Sequence, residues 1–111
     1  MNNDRDKVYI KDILEVIFEV ENFTKSMTYQ DFLNNRAVYR AVERDFEIIG
    51  EAVKRLSEGF KQKYPDIPWK DIAGFRDVLA HDYTAVNALT VWETLEGDML
   101  NLKKILLKAS A

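Results

Sequence analysis

The sequence predicts an all-α protein, a four-helix-type bundle with an additional short helix. Apolar residues recur every three or four positions along three long segments, as they do on the buried face of a helix. No segment shows the alternation of apolar and polar residues that is typical of a β-strand. Both prolines lie between the second and third long segments, where they interrupt none of them. A helical bundle is the simplest way to bury the apolar faces of such helices.

The first two helices are predicted from local signals. The first runs from about Asp4 to Phe23. Its buried stripe consists of Ile10, Ile13, Leu14, Ile17 and Val20. A short helix from Tyr29 to about Leu33 follows, because Thr28 and Asp31 have the spacing of a weak capping box.

The longest helix is predicted from about Arg36 to Phe60. Its apolar positions are Val38, Val42, Phe46, Ile49, Val53, Leu56 and Phe60. Gly50 costs such a helix about 1 kcal/mol relative to alanine, so it indicates close approach of another helix. For its neighbour Glu51, pairing with a basic residue is the preferred interpretation, and lining a functional cleft is the alternative.

The stretch "KYPDIPW" ends this helix, because a proline cannot donate a backbone hydrogen bond. Pro68 is predicted to be the first residue of the next helix, "PWKDIAGFRDVLAH", with an irregularity at Gly74. "DYTAVN" is then a short link. The last helix is predicted from about Ala88 to Leu107. Its stripe consists of Ala88, Val91, Trp92, Leu95, Met99, Leu102 and Ile105.

Size and composition indicate one domain over residues 1–111 and exclude several kinds of chemistry. The chain has 111 residues and no cysteine, so disulfides, thiolate nucleophiles and cysteine zinc sites are excluded. The amino-terminal "MNNDRDKVYI" is too polar for a signal peptide, and no apolar run reaches the roughly 20 residues of a membrane span. We therefore expect a cytoplasmic protein.

The net charge of −3 argues against non-specific coating of nucleic acid, which needs many basic contacts to phosphate. A local excess of positive charge does occur between residues 54 and 76. It comprises the six basic residues Lys54, Arg55, Lys61, Lys63, Lys70 and Arg76 against the three acids Glu58, Asp66 and Asp71. From the charges alone, a solvated surface is the preferred interpretation over a binding patch.

The only histidine, His81, lies in "RDVLAHDY" together with Arg76 and Tyr83. One histidine cannot form a paired-histidine metal site, and the sequence has no glycine-rich phosphate loop, so no metal or cofactor is expected. Imidazole exchanges protons near neutral pH, and the guanidinium group binds phosphate oxygens. Together they suit cleavage of RNA by its own 2′-OH, which needs proton transfer and positive charge at the phosphorane.

The spacing of Arg76 and His81 does not suit one face of a regular helix, since residues five apart point about 140° away from each other. Either the helix loosens near His81, or a symmetric dimer brings two motifs to one cleft. Asp77, four residues before His81, could orient the imidazole or raise its pKa. The simpler alternative is that Arg76, His81 and the half-buried aromatic Tyr83 have only structural roles.

Four segments together resemble the HepT-like branch of the HEPN superfamily. "RDVLAHDY" resembles its Arg-x4-His-x-Tyr motif, and "AVERDFEIIGEAV" (41–53) its third-helix signature. "YPDIPWKDIAGFRD" (64–77) is similar to its proline-rich turn, and "VNALTVWETLEGDMLNL" (86–102) to its last helix. The order and spacing match over nearly the whole chain.

The resemblance implies a helical bundle that dimerises. It also implies that the protein is a toxin with metal-independent endoribonuclease activity, in which Arg76 and His81 are catalytic and Asp77 supports them. It also implies a cognate nucleotidyltransferase antitoxin that AMPylates Tyr83. An alternative is a non-catalytic nucleotide-binding or substrate-binding partner of that transferase. A plain helical interaction protein is the third possibility. Asp77 stands where relatives often have asparagine, and it adds negative charge beside a site for RNA.

Overall fold

The computed structural model describes residues 4–74 and 85–110, and within these ranges the regular structure is entirely helical. The helices are α1 (Asp4–Thr24), α2 (Tyr29–Leu33), α3 (Arg36–Lys54), α4 (Glu58–Gln62), α5 (Trp69–Ala73), α6 (Ala85–Glu96) and α7 (Asp98–Ser110). The predicted all-α class is confirmed.

The long helices bury the apolar stripes that the sequence predicts. All five stripe residues of α1 are buried, and so are Val42, Phe46, Ile49 and Val53 of α3. The α1 helix packs along α3 on one side and contacts α7 on another, while α5 lies against α3 and α6 lies against α2. The hydrophobic core therefore runs between α1 and α3 and extends to the two carboxyl-terminal helices.

The capping box before α2 forms as predicted. The Thr28 side chain accepts a hydrogen bond from the backbone N–H of Asp31 at 3.1 Å. The Asp31 carboxylate accepts one from the backbone N–H of Thr28 at 3.0 Å. Two otherwise unpaired donors at the helix start are thus satisfied, which allows a helix of five residues to begin here.

The prediction of one continuous helix to Phe60 is wrong, because α3 ends at Lys54 and Ser57 starts the separate helix α4. The Ser57 side chain accepts a hydrogen bond from the backbone N–H of Phe60 at 3.1 Å. The carboxylate of Asp6, buried in the first turn of α1, accepts from the Ser57 N–H at 2.8 Å and from the Ser57 hydroxyl at 2.6 Å. The cap at Ser57, which Asp6 of α1 holds in place, therefore starts a new helix although the apolar residues continue at helical spacing to Phe60.

The predicted last helix also differs from the structure. It begins earlier, because residues 85–87 of the expected link are already helical. It is interrupted at Gly97, which separates α6 from α7. Pro68 precedes the first helical residue of α5 instead of being that residue. Of the predicted helix "PWKDIAGFRDVLAH", the part after Gly74 lies outside the described residues.

Candidate functional site

The four site residues predicted from the sequence, Arg76, Asp77, His81 and Tyr83, lie outside the described residues. The two helices that flank this segment are described. The α5 helix and Gly74 precede it, and α6 begins at Ala85, two residues after Tyr83. The packing of these two helices shows how the fold holds the chain before and after the motif segment.

The amino-terminal end of the segment is held by a close contact between α5 and α3. A Cβ atom built on Gly50 would lie 3.1 Å from the carbonyl oxygen of Ala73 and 3.2 Å from that of Ile72. These distances are shorter than ordinary van der Waals contact, so a side chain at position 50 would force the two backbones apart by a few tenths of an ångström. The predicted helix-contact role of Gly50 is confirmed. The last described turn before the motif is therefore held against α3.

The carboxyl-terminal end is anchored by α6. Ala88 is fully buried, and the ring centroid of Trp92 lies 5.3 Å from that of Phe32 and 6.4 Å from that of Tyr29. Aromatic pairs at these distances stabilise the contact between α6 and α2. The chain therefore enters a packed helix directly after the motif.

The proline-rich turn before α5 is organised by Trp69. Its indole N–H donates hydrogen bonds to the carbonyl oxygens of Lys61 and Tyr64, both at 3.0 Å. Its ring packs edge-on against Phe60, with 5.9 Å between centroids. Trp69 thus ties the end of α4 to the start of α5. Sequence reasoning gave it no role, although a tryptophan directly after the second of two close prolines was a usable signal.

An open groove of about 550 Å³ lies between the end of α3, α4 and α5. The stems of Lys54, Lys61 and Lys70 line it, together with Trp69 and Ala73. Its lysines belong to the local excess of basic residues that the sequence shows between residues 54 and 76. The structure therefore gathers a part of that excess into one concave surface that ends at α5.

Two of the lysines in the groove have acidic neighbours on their own helices. The ammonium of Lys61 is 3.2 Å from Glu58, and that of Lys54 is 3.2 Å from Glu51. The structural pairing that the sequence suggests for Glu51 is thus observed. Pairs of this kind on a helix surface contribute only about 0.3–0.5 kcal/mol, so the lysines can exchange their partners at little cost.

Asp45 on α3 is a buried acid that sequence reasoning also missed. Its side chain is 5% exposed, and its Oδ2 atom has no hydrogen-bond partner among the described residues. Burial, reinforced by the nearby carboxylate of Glu19 on α1, raises the pKa of Asp45 to about 6, and the charge of Arg44 opposes this shift. The sequence signal that could have indicated it is the position of this acid directly before Phe46, which belongs to the predicted apolar stripe.

Within residues 4–74 and 85–110, no group of three or more His, Cys, Asp or Glu side chains is placed to hold a metal ion. None of the helices in these ranges has the length and hydropathy to cross a membrane.

The family model described as Ribonuclease HepT-like matches residues 13–109 of the sequence. The chain belongs to the HepT-like ribonuclease family. The resemblance drawn from the four sequence segments is thereby confirmed. The match covers the groove, both anchored flanks and the whole "RDVLAHDY" motif.

Curated relatives of this HepT-like chain come from archaea and bacteria. A candidate RNase of Methanocaldococcus jannaschii is 48% identical over 98 residues, which are 88% of this chain and 81% of the relative. The "probable ribonuclease HepT" of Thermococcus cleftensis is 41% identical over 97 residues, 87% of this chain and 88% of the relative. A candidate RNase of Caldanaerobacter subterraneus is 42% identical over 97 residues, 86% of each chain. The comparison with solved structures found no match.

Proposed function

We propose that this HepT-like protein is a metal-independent endoribonuclease, with residues 1–111 as one domain that acts in the cytoplasm. The observation that carries the proposal is the family match over residues 13–109, within which Arg76, His81 and Tyr83 of the family motif are all present. The names of the relatives, which describe ribonucleases, support the same activity.

In the proposed reaction the RNA supplies its own nucleophile. The 2′-oxygen attacks the adjacent phosphorus while the bond from phosphorus to the 5′-oxygen breaks, leaving a 2′,3′-cyclic phosphate and a 5′-hydroxyl. His81 takes the 2′-OH proton or gives a proton to the leaving oxygen, and Arg76 stabilises the negative charge of the phosphorane. Asp77 has a supporting role, in which it orients the imidazole or favours its protonated form.

We also propose that the active form is a homodimer. Arg76 and His81 are five positions apart, a spacing that turns them away from each other on one regular helix. Two copies related by a twofold axis would allow an arginine and a histidine from different protomers to act at one phosphate. The test is the mass of the protein in solution at micromolar concentration, and a monomeric mass would contradict the dimer.

The regulatory part of the proposal is a toxin–antitoxin pair in which a cognate nucleotidyltransferase modifies Tyr83. The tyrosine oxygen would attack the α-phosphate of ATP, and pyrophosphate would leave. The added AMP brings bulk and negative charge next to a site for RNA phosphate, so it blocks the substrate by occlusion and repulsion. After co-expression with the transferase, intact mass should show added AMP in the parent protein. The same measurement on Tyr83→Phe should show none.

The nuclease activity is tested with purified protein and RNA in the presence of EDTA. We expect cleavage by the parent protein and loss of cleavage in His81→Ala and Arg76→Ala. Arg36→Ala removes an equivalent charge from the exposed start of α3 and should remain active. Equal cleavage by the parent and both motif variants would refute the assignment, because the activity would then come from another site or a contaminant.

A second candidate function is a non-catalytic partner that binds nucleotide or substrate for the transferase. The net charge of −3 and the additional carboxylate of Asp77 favour it, because both oppose tight binding of RNA. Expression of the parent protein separates the two functions. Toxicity that disappears in His81→Ala supports the nuclease, whereas absence of toxicity and of RNA cleavage supports the partner.

A further inference from the structure

The groove between α3, α4 and α5 is lined mainly by lysines and apolar side chains. Three lysines line it (Lys54, Lys61 and Lys70) against one acid, Glu58. A second groove, on α3, has Arg44, Glu47 and Glu51 among its lining residues, and so carries an excess of negative charge. In a protein with a net charge of −3, the α3–α5 groove therefore has a local excess of positive charge, which favours anions.

The lysines are available to a ligand. Lys70 is exposed and forms no ion pair with another described residue. Lys54 is half exposed, and its pair with Glu51 is of the weak surface kind. Lys61 is more enclosed, with a side chain 15% exposed, so its stem forms part of the wall while its ammonium lies near Glu58.

The wall between the lysines is apolar and rigid. The two hydrogen bonds from its indole N–H fix the orientation of Trp69, and Pro65 and Ala73 continue the same surface. Aromatic and apolar walls beside lysines suit single-stranded nucleic acid, whose bases stack on such surfaces while its phosphates meet the cations. Ala73 lies only three residues before Arg76, so the groove ends next to the segment that carries the motif.

We propose that the groove lined by Lys54, Lys61, Lys70 and Trp69 binds the single-stranded RNA that flanks the cleaved bond. The inference rests on the proposed ribonuclease function for its substrate. Lysines contact the phosphates of the flanking nucleotides, and the Trp69 wall contacts a base. The groove contributes to binding and position, while the motif residues perform the chemistry.

The test compares two double variants with the same net charge. Lys54→Ala with Lys70→Ala removes two charges from the groove, whereas Lys25→Ala with Lys104→Ala removes two exposed charges that do not line it. Each pair is combined with His81→Ala, so that a fluorescein-labelled single-stranded oligoribonucleotide stays intact during anisotropy titrations. Circular dichroism verifies that both proteins fold.

We expect the groove variant to bind the RNA on the order of tenfold more weakly than the parent and the control variant. The slope of log Kd against log salt should fall by about 1.4, which corresponds to two lost phosphate contacts on a single strand. With His81 restored, the groove variant should show a raised KM and an unchanged kcat.

Equal RNA affinity of parent and groove variant would overturn the inference, and so would absence of RNA binding by the parent. Loss of binding to the nucleotidyltransferase without loss of RNA binding would also overturn it, because the groove would then serve a protein partner. Failure of the proposed function looks different. In that case the parent binds RNA through the groove but cleaves none.

Discussion

Gly50 of α3 faces the carbonyl oxygen of Ala73 so closely that an added Cβ atom would lie 3.1 Å from it. This contact positions the last described turn before the motif against the longest internal helix. The placement of α5 therefore depends on the absence of a side chain at Gly50.

Enlarging Gly50 should therefore displace α5. We expect Gly50→Val to lower the free energy of unfolding by about 1–3 kcal/mol, because the Ala73 and Ile72 carbonyl groups belong to the backbone and cannot rotate away. Gly59→Val is the matched control, since its added Cβ would have only the Ser57 hydroxyl near it, at 4.0 Å. Urea unfolding followed by circular dichroism compares them. Equal stability of Gly50→Val and the parent would show that α5 adjusts freely.

The contact between Asp6 and Ser57 should be important for stability. Asp6→Ala removes two hydrogen bonds to a carboxylate and should cost about 2–3 kcal/mol of unfolding free energy. Asp4→Ala removes an exposed acid, whose pair with Lys7 is 4.0 Å long, and should have no measurable effect. A double-mutant cycle of Asp6→Ala with Ser57→Ala measures the coupling, and additive effects would refute the proposed contact.

Asp45 should make the stability depend on pH. Its pKa is about 6 in the folded protein and 3.8 in the unfolded chain, so the folded state favours the protonated acid. The stability that this preference provides is complete below about pH 3.8 and is lost as the pH rises through 6. At pH 7 we therefore expect Asp45→Asn to be more stable than the parent by on the order of 1–3 kcal/mol.

Chemical unfolding at several pH values tests the contribution of Asp45. In Asp45→Asn the decrease in stability between pH 4 and pH 7 should be smaller than in the parent. Asp12→Asn changes an exposed acid of α1 in the same way and should keep the slope of the parent. If Asp45→Asn has the slope of the parent, the buried carboxyl does not titrate as described.

The indole N–H of Trp69 should contribute to the stability of the fold through its two hydrogen bonds. Trp69→Phe removes the donor to the Lys61 and Tyr64 carbonyl oxygens and should cost about 1–3 kcal/mol. Trp92→Phe makes the same change where the described contacts are with the rings of Phe32 and Tyr29. Thermal unfolding should show the larger loss for Trp69→Phe, and the opposite order would contradict the role given to the indole N–H.

The features that the sequence predicts correctly are those with local signals. The stripes of α1 and α3, the capping box at Thr28 and the close approach at Gly50 each follow from residues within one or two turns. The end of α3 could not be predicted, because it depends on Asp6, which is 51 residues away from Ser57 in the chain. The break at Gly97 was missed because the apolar period continues across it.

The candidate site also has one part with a local signal in the sequence and one part without. The motif from Arg76 to Tyr83 is contiguous and recognisable, and its residues remain a prediction. The groove is assembled from α3, α4 and α5, and the sequence reveals only an excess of lysine and arginine in that region. No periodicity indicates that Lys54 and Lys70 line one surface, because the turn held by Trp69 brings them together.

The two hydrogen bonds from Ser57 to the Asp6 carboxylate should also affect amide hydrogen exchange. Since the first turn of α1 holds the Ser57 N–H, this amide is protected only while that turn is formed. The amides of early α1 and early α4 should therefore open in one cooperative event despite their separation in the chain. Frayed ends usually exchange fastest, but here the Ser57 amide and the first hydrogen-bonded amides of α1 should show similar protection.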